Sequence, residues 1–211
     1  IGSTGCGKTT LVSMIPRLYD VDEGNVLVDN VNVKDYSLKN LRDGVAMVLQ
    51  KNILFSGSIE DNLRWGNENA SMEDIINASK SAQADKFITM FKDGYKTDLS
   101  QGGTNVSGGQ KQRLCIARAL LKKPKIIIFD DSTSAVDTAT EKQIREAFKN
   151  ELKDSTKLII AQRISSVIDA DMIVVMDEGT ITGIGTHKEL IINNKEYQEI
   201  YYSQMDKEEA N

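Results

Sequence analysis

The chain has 211 residues, enough for one large domain with an ample core, and its 40% hydrophobic and 27% charged residues argue against a disordered chain. A net charge of −5 speaks against a surface built to lie along phosphodiester backbone, which needs a basic stripe, so nucleic acid is not expected as a partner. The 2 cysteines, Cys6 and Cys115, have neither metal-site spacing nor a disulfide framework, which fits a reducing compartment such as the cytosol.

In chain order, GSTGCGKT from Gly2 reads as a loop, and the run TLVSMIPRLY that follows has helical spacing at Leu11, Val12, Met14, Ile15 and Leu18. The alternating runs NVLVD and VNVKD, joined by Asp29 and Asn30, predict a hairpin, and VAMVLQ, ending at Gln50, predicts a core strand. From Ser56 to Lys111 β-branched runs vanish, with Ser58, Ser71 and Ser81 as candidate N-caps and Gly66 and Gly94 as stops. From Lys125 the rhythm is strand KIIIFD, helix TATEKQIREAFKNEL, strand TKLIIA, helix, strand DMIVVMD, the pattern of a parallel sheet flanked by helices. The tail contains the amphipathic runs HKELII and EYQEIYYSQM and ends in DKEEAN, expected to fray.

The expected fold is therefore α/β: a lobe with a mostly parallel sheet flanked by helices, spanning 1–55 and 115–211, with an inserted α-helical subdomain at 56–114; the motif that opens at Gly2 makes the lobe that of a P-loop ATPase. No apolar run approaches the roughly 18 residues that cross a bilayer. Opening at Ile1, inside a motif that normally follows a strand, the sequence reads as part of a longer protein whose early strands and membrane part lie elsewhere.

The chemistry concentrates at the first helix. Gly2, Gly7, Lys8 and Thr9 match GxxxxGK followed by Ser or Thr in full, so the loop Gly2, Ser3, Thr4, Gly5, Cys6, Gly7, Lys8, Thr9, Thr10 is a candidate phosphate cradle. Glycines allow backbone N–H groups to form an anion nest, Lys8 can reach the β and γ phosphates of ATP, and Thr9 can ligate Mg²⁺. Asp130, at the end of the apolar run IIIFD, is the partner carboxylate for the metal. A chance glycine-rich turn is the bland alternative for the loop, and a helix cap for Asp130, but two such motifs in sequence favour the phosphate reading. Cys6 could be an oxidisable thiol at the helix start, or simply a small residue in the loop.

Upstream of that strand stands NVSGGQKQRLCIARALLKKP, whose Val106–Gln110 resemble the LSGGQ sequence of the ATP-binding cassette (ABC) family. Ser107, Gly108, Gly109 and Gln110 form a second possible anion site at a helix N-terminus, although a plain N-cap would have the same composition. The resemblance spans the chain, and NILFSGSIEDNL and GTHKELIINNKEYQEIYYSQ are similar to the exporter branch. It implies that Ser107–Gln110 cap the γ phosphate held by a second nucleotide-binding domain. It also implies that Gln50 meets Mg²⁺ beside Thr9 and Asp130, that Asp137 lies in the loop across the dimer, and that membrane domains precede this segment at the cytoplasmic face of the cell membrane.

Two positions depart from the family pattern. Asp131 stands where the family has a water-polarising Glu, and Gln162 where exporters commonly have His, the single histidine being His187 in the tail, with a packing or capping role. Losing one methylene retracts the carboxylate by about 1 to 1.5 Å, a misplacement that can cost on the order of 10² in rate. With binding loops intact, the chain resembles the degenerate half of a heterodimeric multidrug-type exporter. It would hold ATP with weak turnover while its VSGGQ completes a competent site on a different chain. The alternatives are an ordinary homodimeric exporter ATPase in which Asp131 is a tolerated swap, a soluble non-transport ABC ATPase, and a regulatory nucleotide-binding module.

Overall fold

A computed structural model describes residues 1–131 and 136–209. The elements in chain order are α1 (Lys8–Ser13), β1 (Leu27–Val28), β2 (Val31–Asn32), α2 (Leu38–Gly44), β3 (Val45–Val48), β4 (Gly57–Ser58), α3 (Ile59–Arg64), α4 (Met72–Ser81), α5 (Asp85–Ile88), β5 (Asp98–Leu99), α6 (Gly108–Leu121), β6 (Ile126–Asp130), α7 (Thr138–Glu151), β7 (Thr156–Ile160), β8 (Ile173–Asp177), β9 (Thr180–Gly185), α8 (His187–Asn193) and α9 (Lys195–Glu209). They group into two compact units, one of residues 1–38 with 159–211 and the other of residues 39–158. Among the described residues no helix is long and apolar enough to cross a membrane.

In the unit of residues 39–158, β3 and β6 pair in parallel from Val45↔Ile126 to Val48↔Phe129, and the strand order is β3-β6-β7. Ile127 and Ile128 of β6 are fully buried, as a parallel strand covered on both faces requires. Phe129 stacks on Phe148 of α7 with ring centroids 4.4 Å apart, and Ile144, one turn earlier, is also fully buried. Helix α6 packs on α3, α4 and β3. It runs unbroken from Gly108 to Leu121, so residue 114 lies inside a helix. As expected, Ser58 and Ser71 cap α3 and α4, each closing a capping box with Asp61 and Asp74. Ser81 is not a cap: it is the last residue of α4, and the chain turns at Gln83 in the left-handed region (φ 56°). Gly94 does not stop a helix either; α5 ends at Ile88 and Gly94 opens a single 3₁₀ turn.

In the other unit, Asp29 and Asn30 both take positive φ (51° and 61°), the two-residue turn that joins β1 to β2. The helix expected to reach Leu18 ends at Ser13. Pro16 disfavours helical backbone at Ile15, and Arg17 follows in the left-handed region (φ 53°). Between β7 and β8 the structure has only a 3₁₀ turn at Ile164–Ser166 instead of the expected helix. Strand β8 was expected in the parallel sheet; its long partner is β9, antiparallel, with Glu178 and Gly179 forming the positive-φ turn. The run TITGIG of β9 is β-branched at Thr180, Ile181, Thr182 and Ile184, but Gly183 and Gly185 interrupt it and weaken the strand pattern. The opposite edge of β8 does receive a parallel neighbour, because Gly2 bridges Met176. Val175, Tyr197, Leu190, Ile173 and Ile164 form the core of this unit. Helix α9 continues through Glu209 where fraying was expected, and Ala210 and Asn211 lie outside the described residues.

The aromatic stack is the test of the core around β6. Phe148→Ala should cost about 3–5 kcal/mol, since it deletes a buried ring against Phe129; a free energy of unfolding from urea titration that falls by less than a quarter of that would show the sheet does not depend on α7.

Candidate nucleotide site

The loop before α1 starts from a backbone close approach. The Met176 N–H donates to the Ile1 carbonyl at 2.9 Å, and Gly2 lies so near that a Cβ there would overlap the Met176 carbonyl oxygen. Ser3 Oγ donates to the Asp177 carboxylate at 2.9 Å and pins the next residue to the end of β8. Gly5 (φ 85°) and Gly7 (φ 94°) are left-handed, and Gly7 is the N-cap of α1 without any side-chain cap. Left-handed glycines let neighbouring N–H groups face one side, as an anion nest requires, while the Cys6 N–H is bonded to the Ser3 carbonyl at 3.4 Å. The Lys8 ammonium folds back over the loop and donates to the carbonyls of Gly2 (2.9 Å) and Ser3 (2.7 Å), with Cys6 Sγ at 3.5 Å. A positive charge therefore stands beside the nest. Cys6 is buried under the loop, which fits the small-residue reading, while Ser3, Thr4, Gly5, Thr9 and Thr10 are exposed.

Asp130 ends β6 with 4% exposure, and Asp131 follows in the left-handed region (φ 45°). Gln50, two residues beyond β3, donates from Nε2 to Asp131 Oδ2 at 3.1 Å. The parallel pairing of β3 with β6 brings these sequence-distant residues to the same carboxyl edge, the edge at which open parallel sheets bind ligands. The bond through nitrogen leaves the Gln50 side-chain oxygen as an acceptor. That oxygen and the Asp130 carboxylate are hard oxygen donors of the kind Mg²⁺ takes, and the Thr9 hydroxyl of the other unit is of the same kind.

Ser107 caps α6 with a closed box: its hydroxyl accepts from the Gln110 N–H at 3.2 Å, and Gln110 Oε1 accepts from the Ser107 N–H at 2.8 Å. The boxes of α3 and α4 use carboxylates, both held below the usual range by their serine hydrogen bonds. Here the reciprocal group is a neutral amide. The positive end of this long helix is therefore capped without being neutralised, which favours an external anion at Gly108 and Gly109.

Asp137 is the N-cap of α7 and accepts from the Thr140 N–H at 2.9 Å; that bond, and more weakly the charge of Arg113, holds its carboxyl below the usual range. Arg113 itself was not singled out from the sequence. It donates to the Gly109 carbonyl (3.3 Å) and to the Gln83 carbonyl (3.0 Å) and lies 4.8 Å over the Phe87 ring, tying the first turn of α6 to the turn before α5. Its position one turn after Gly109 on the same helix is the signal that could have found it.

Gln162 follows β7 in the unit that carries the phosphate loop, and its backbone carbonyl is held by Gln204 Nε2 at 2.7 Å. His187 packs: Nδ1 lies 2.8 Å from the Tyr197 hydroxyl and the ring against Tyr201, while the cap of α8 is Thr186.

A glycine loop of this geometry leading into a helix, with a carboxylate at the end of a buried parallel strand, defines a P-loop nucleotide-binding domain. The ABC transporter family model matches residues 1–134, and the chain belongs to that family. It is 45% identical over 208 residues to the uncharacterized ABC transporter ATP-binding protein YfiB of Bacillus subtilis (strain 168), covering 99% of this chain and 36% of that protein. It is 42% identical over 205 residues to ABC transporter B family member 2 of Dictyostelium discoideum, covering 97% of this chain and 15% of that protein. The structure of a bacterial Atm1-family ABC exporter with ATP bound superposes with a TM-score of 0.93 at 35% identity, over 96% of this chain and 36% of that one. The chain thus spans about a third or less of these proteins.

The two glycines separate geometry from composition. Gly2→Ala should abolish binding of a fluorescent ATP analogue, because the methyl meets backbone. Gly5→Ala, where a Cβ meets nothing within 4 Å, should cost only the left-handed strain of about 1–2 kcal/mol, or roughly 10-fold in Kd. Equal losses in the two variants would remove the close approach at Met176 as the reason for Gly2.

Proposed function

We propose that this chain is the ATP-binding motor domain of an ABC exporter and works by ATP-dependent pairing with a second nucleotide-binding domain, with weak hydrolysis at its own site. The observation that carries the nucleotide half is the loop from Gly2 to Lys8, with its left-handed glycines and the Lys8 ammonium lying across them. On this reading Gly2 to Thr10 bind the phosphates, Lys8 moves from the loop carbonyls to the β and γ oxygens, and Thr9, Asp130 and Gln50 would hold Mg²⁺. The ion supplies charge neutralisation and orientation of the phosphates.

The weak-hydrolysis half rests on Asp131 and Gln162. Asp131 is one methylene shorter than the Glu of the resembled family, and its Oδ2 already accepts from Gln50 at 3.1 Å. A carboxylate both retracted and engaged is a poorer base for the attacking water. Gln162 can donate a hydrogen bond to a phosphate oxygen but cannot carry a positive charge. Ser107, Gly108, Gly109 and Gln110, with their uncompensated helix end, serve the γ phosphate held by the other domain, and Asp137 lies across that dimer. The second domain is a different chain on this reading. Membrane domains of the full-length protein, on the N-terminal side of this segment, place it at the cytoplasmic face of the cell membrane.

Steady-state ATPase of the intact complex, with the partner chain's own site inactivated, decides the matter. The parent site should be near silent, and Asp131→Glu with Gln162→His should raise its rate by on the order of 10². A briskly active parent, unchanged by the double substitution, would instead identify an ordinary homodimeric motor. In the paired complex, Ser107→Arg on this chain should abolish the partner site's turnover while leaving ATP binding here intact; an unaffected partner would remove the composite site.

A further inference from the structure

The loop after β7 is gripped from outside by a single side chain. Gln204, on α9, donates from Nε2 to the Gln162 carbonyl at 2.7 Å and accepts from the Ile164 N–H at Oε1 at 2.8 Å. One primary amide thus satisfies a backbone acceptor and a backbone donor two residues apart, the pairing that a neighbouring strand would otherwise supply. The geometry points to Gln204 as a positioning residue that fixes the backbone of residues 162–164, and with it the direction in which the Gln162 side chain leaves the chain.

The arrangement around this contact favours a device that sets position. Ile164, the last residue of the gripped segment, is 3% exposed and belongs to the same core as Tyr197 of α9. Tyr197 in turn is fixed, its N–H donating to the Asn194 side-chain oxygen at 2.7 Å and its hydroxyl lying 2.8 Å from His187 Nδ1. The base of α9 is therefore anchored two turns before Gln204, and the side chain reaches the loop from a rigid helix. A misplacement of about 1 Å at a reacting site can cost on the order of 10² in rate, so a loop defined by two hydrogen bonds matters more than their modest contribution to stability suggests. Such a role links the C-terminal helix to the position that the proposed function assigns to phosphate sensing, and its catalytic consequence rests on that reading.

The test is Gln204→Leu, which keeps the size of the side chain and removes both hydrogen bonds, made in the parent and in the Asp131→Glu, Gln162→His background. Amide hydrogen exchange at Ile164 should accelerate at least tenfold in both backgrounds with the Tyr197 amide still protected. In the activated background kcat should fall about tenfold with KM for ATP unchanged. Unchanged exchange at Ile164 overturns the positioning role. Accelerated exchange with an unchanged kcat overturns the link to hydrolysis, and so does a fall in kcat matched by lost protection at Tyr197, which would mark simple destabilisation of α9. If the activated background proves inactive, the proposed function fails separately, and exchange at Ile164 still decides whether Gln204 holds the loop.

Discussion

The phosphate loop depends on one close approach of backbone to backbone. Strand β8 carries β9 along one edge and the first two residues along the other, with the Ile1 carbonyl accepting from Met176 and Gly2 pressed against the Met176 carbonyl. A side chain at Gly2 would push the loop's origin off the strand, and each later residue would be displaced with it. Ser3, bound to Asp177, takes the chain past the strand end, and only then do Gly5 and Gly7 take the left-handed backbone that an anion nest needs. The rigidity of an anion nest, which has no core of its own, comes from the buried strand beneath it; Val175 of that strand has no exposed surface.

The other unit uses one local device three times and changes a single group in it. Helices α3, α4 and α6 all start with a serine whose hydroxyl receives the N–H three residues on, each cap contributing about 1 kcal/mol. In the first two an aspartate closes the box and neutralises the helix end. In α6 a glutamine closes it, so the same geometric definition is obtained without spending the electrostatic potential. Two glycines follow the cap, which costs helix propensity but lets a ligand approach the backbone. Arg113 then holds the exposed turn down by its carbonyls and by Phe87, leaving the amide donors uninvolved in that contact.

Much of this was legible in the sequence because it rests on residue types with narrow uses. The glycine-rich loop that leads into α1, the strand ending at Asp130, the caps at Ser58 and Ser71 and the Asp29–Asn30 turn each follow from local rules, and the structure places these elements where those rules put them. The errors have a common origin in tertiary context. Strand β9 is glycine-rich and gains its pairing only from β8, Ser81 has the composition of a cap but ends a helix, and the apolar spacing after Ser13 survives a turn that Pro16 imposes. Arg113 and Gln204 escaped notice because their meaning lies in backbone carbonyls far away in sequence, Gln83 and Gln162. No periodicity reports such a contact.

Position 131 brings local backbone comfort and chemistry into opposition. Its φ of 45° is left-handed, a region in which aspartate and asparagine are enriched several-fold over other residues with a side chain, whereas glutamate has no such preference. Gln50 reaches this carboxylate across the sheet edge at 3.1 Å, a contact that defines the end of β3 as much as it engages the acid. An aspartate here therefore favours a well-ordered turn directly after the buried Asp130, at the expense of reach toward a bound water. In a site that turns over quickly that exchange would be costly. In a site whose proposed task is to hold ATP and keep two domains together, order at the metal-side turn is worth more than catalytic reach, and the choice of residue follows from the physics of the turn as well as from the chemistry it gives up.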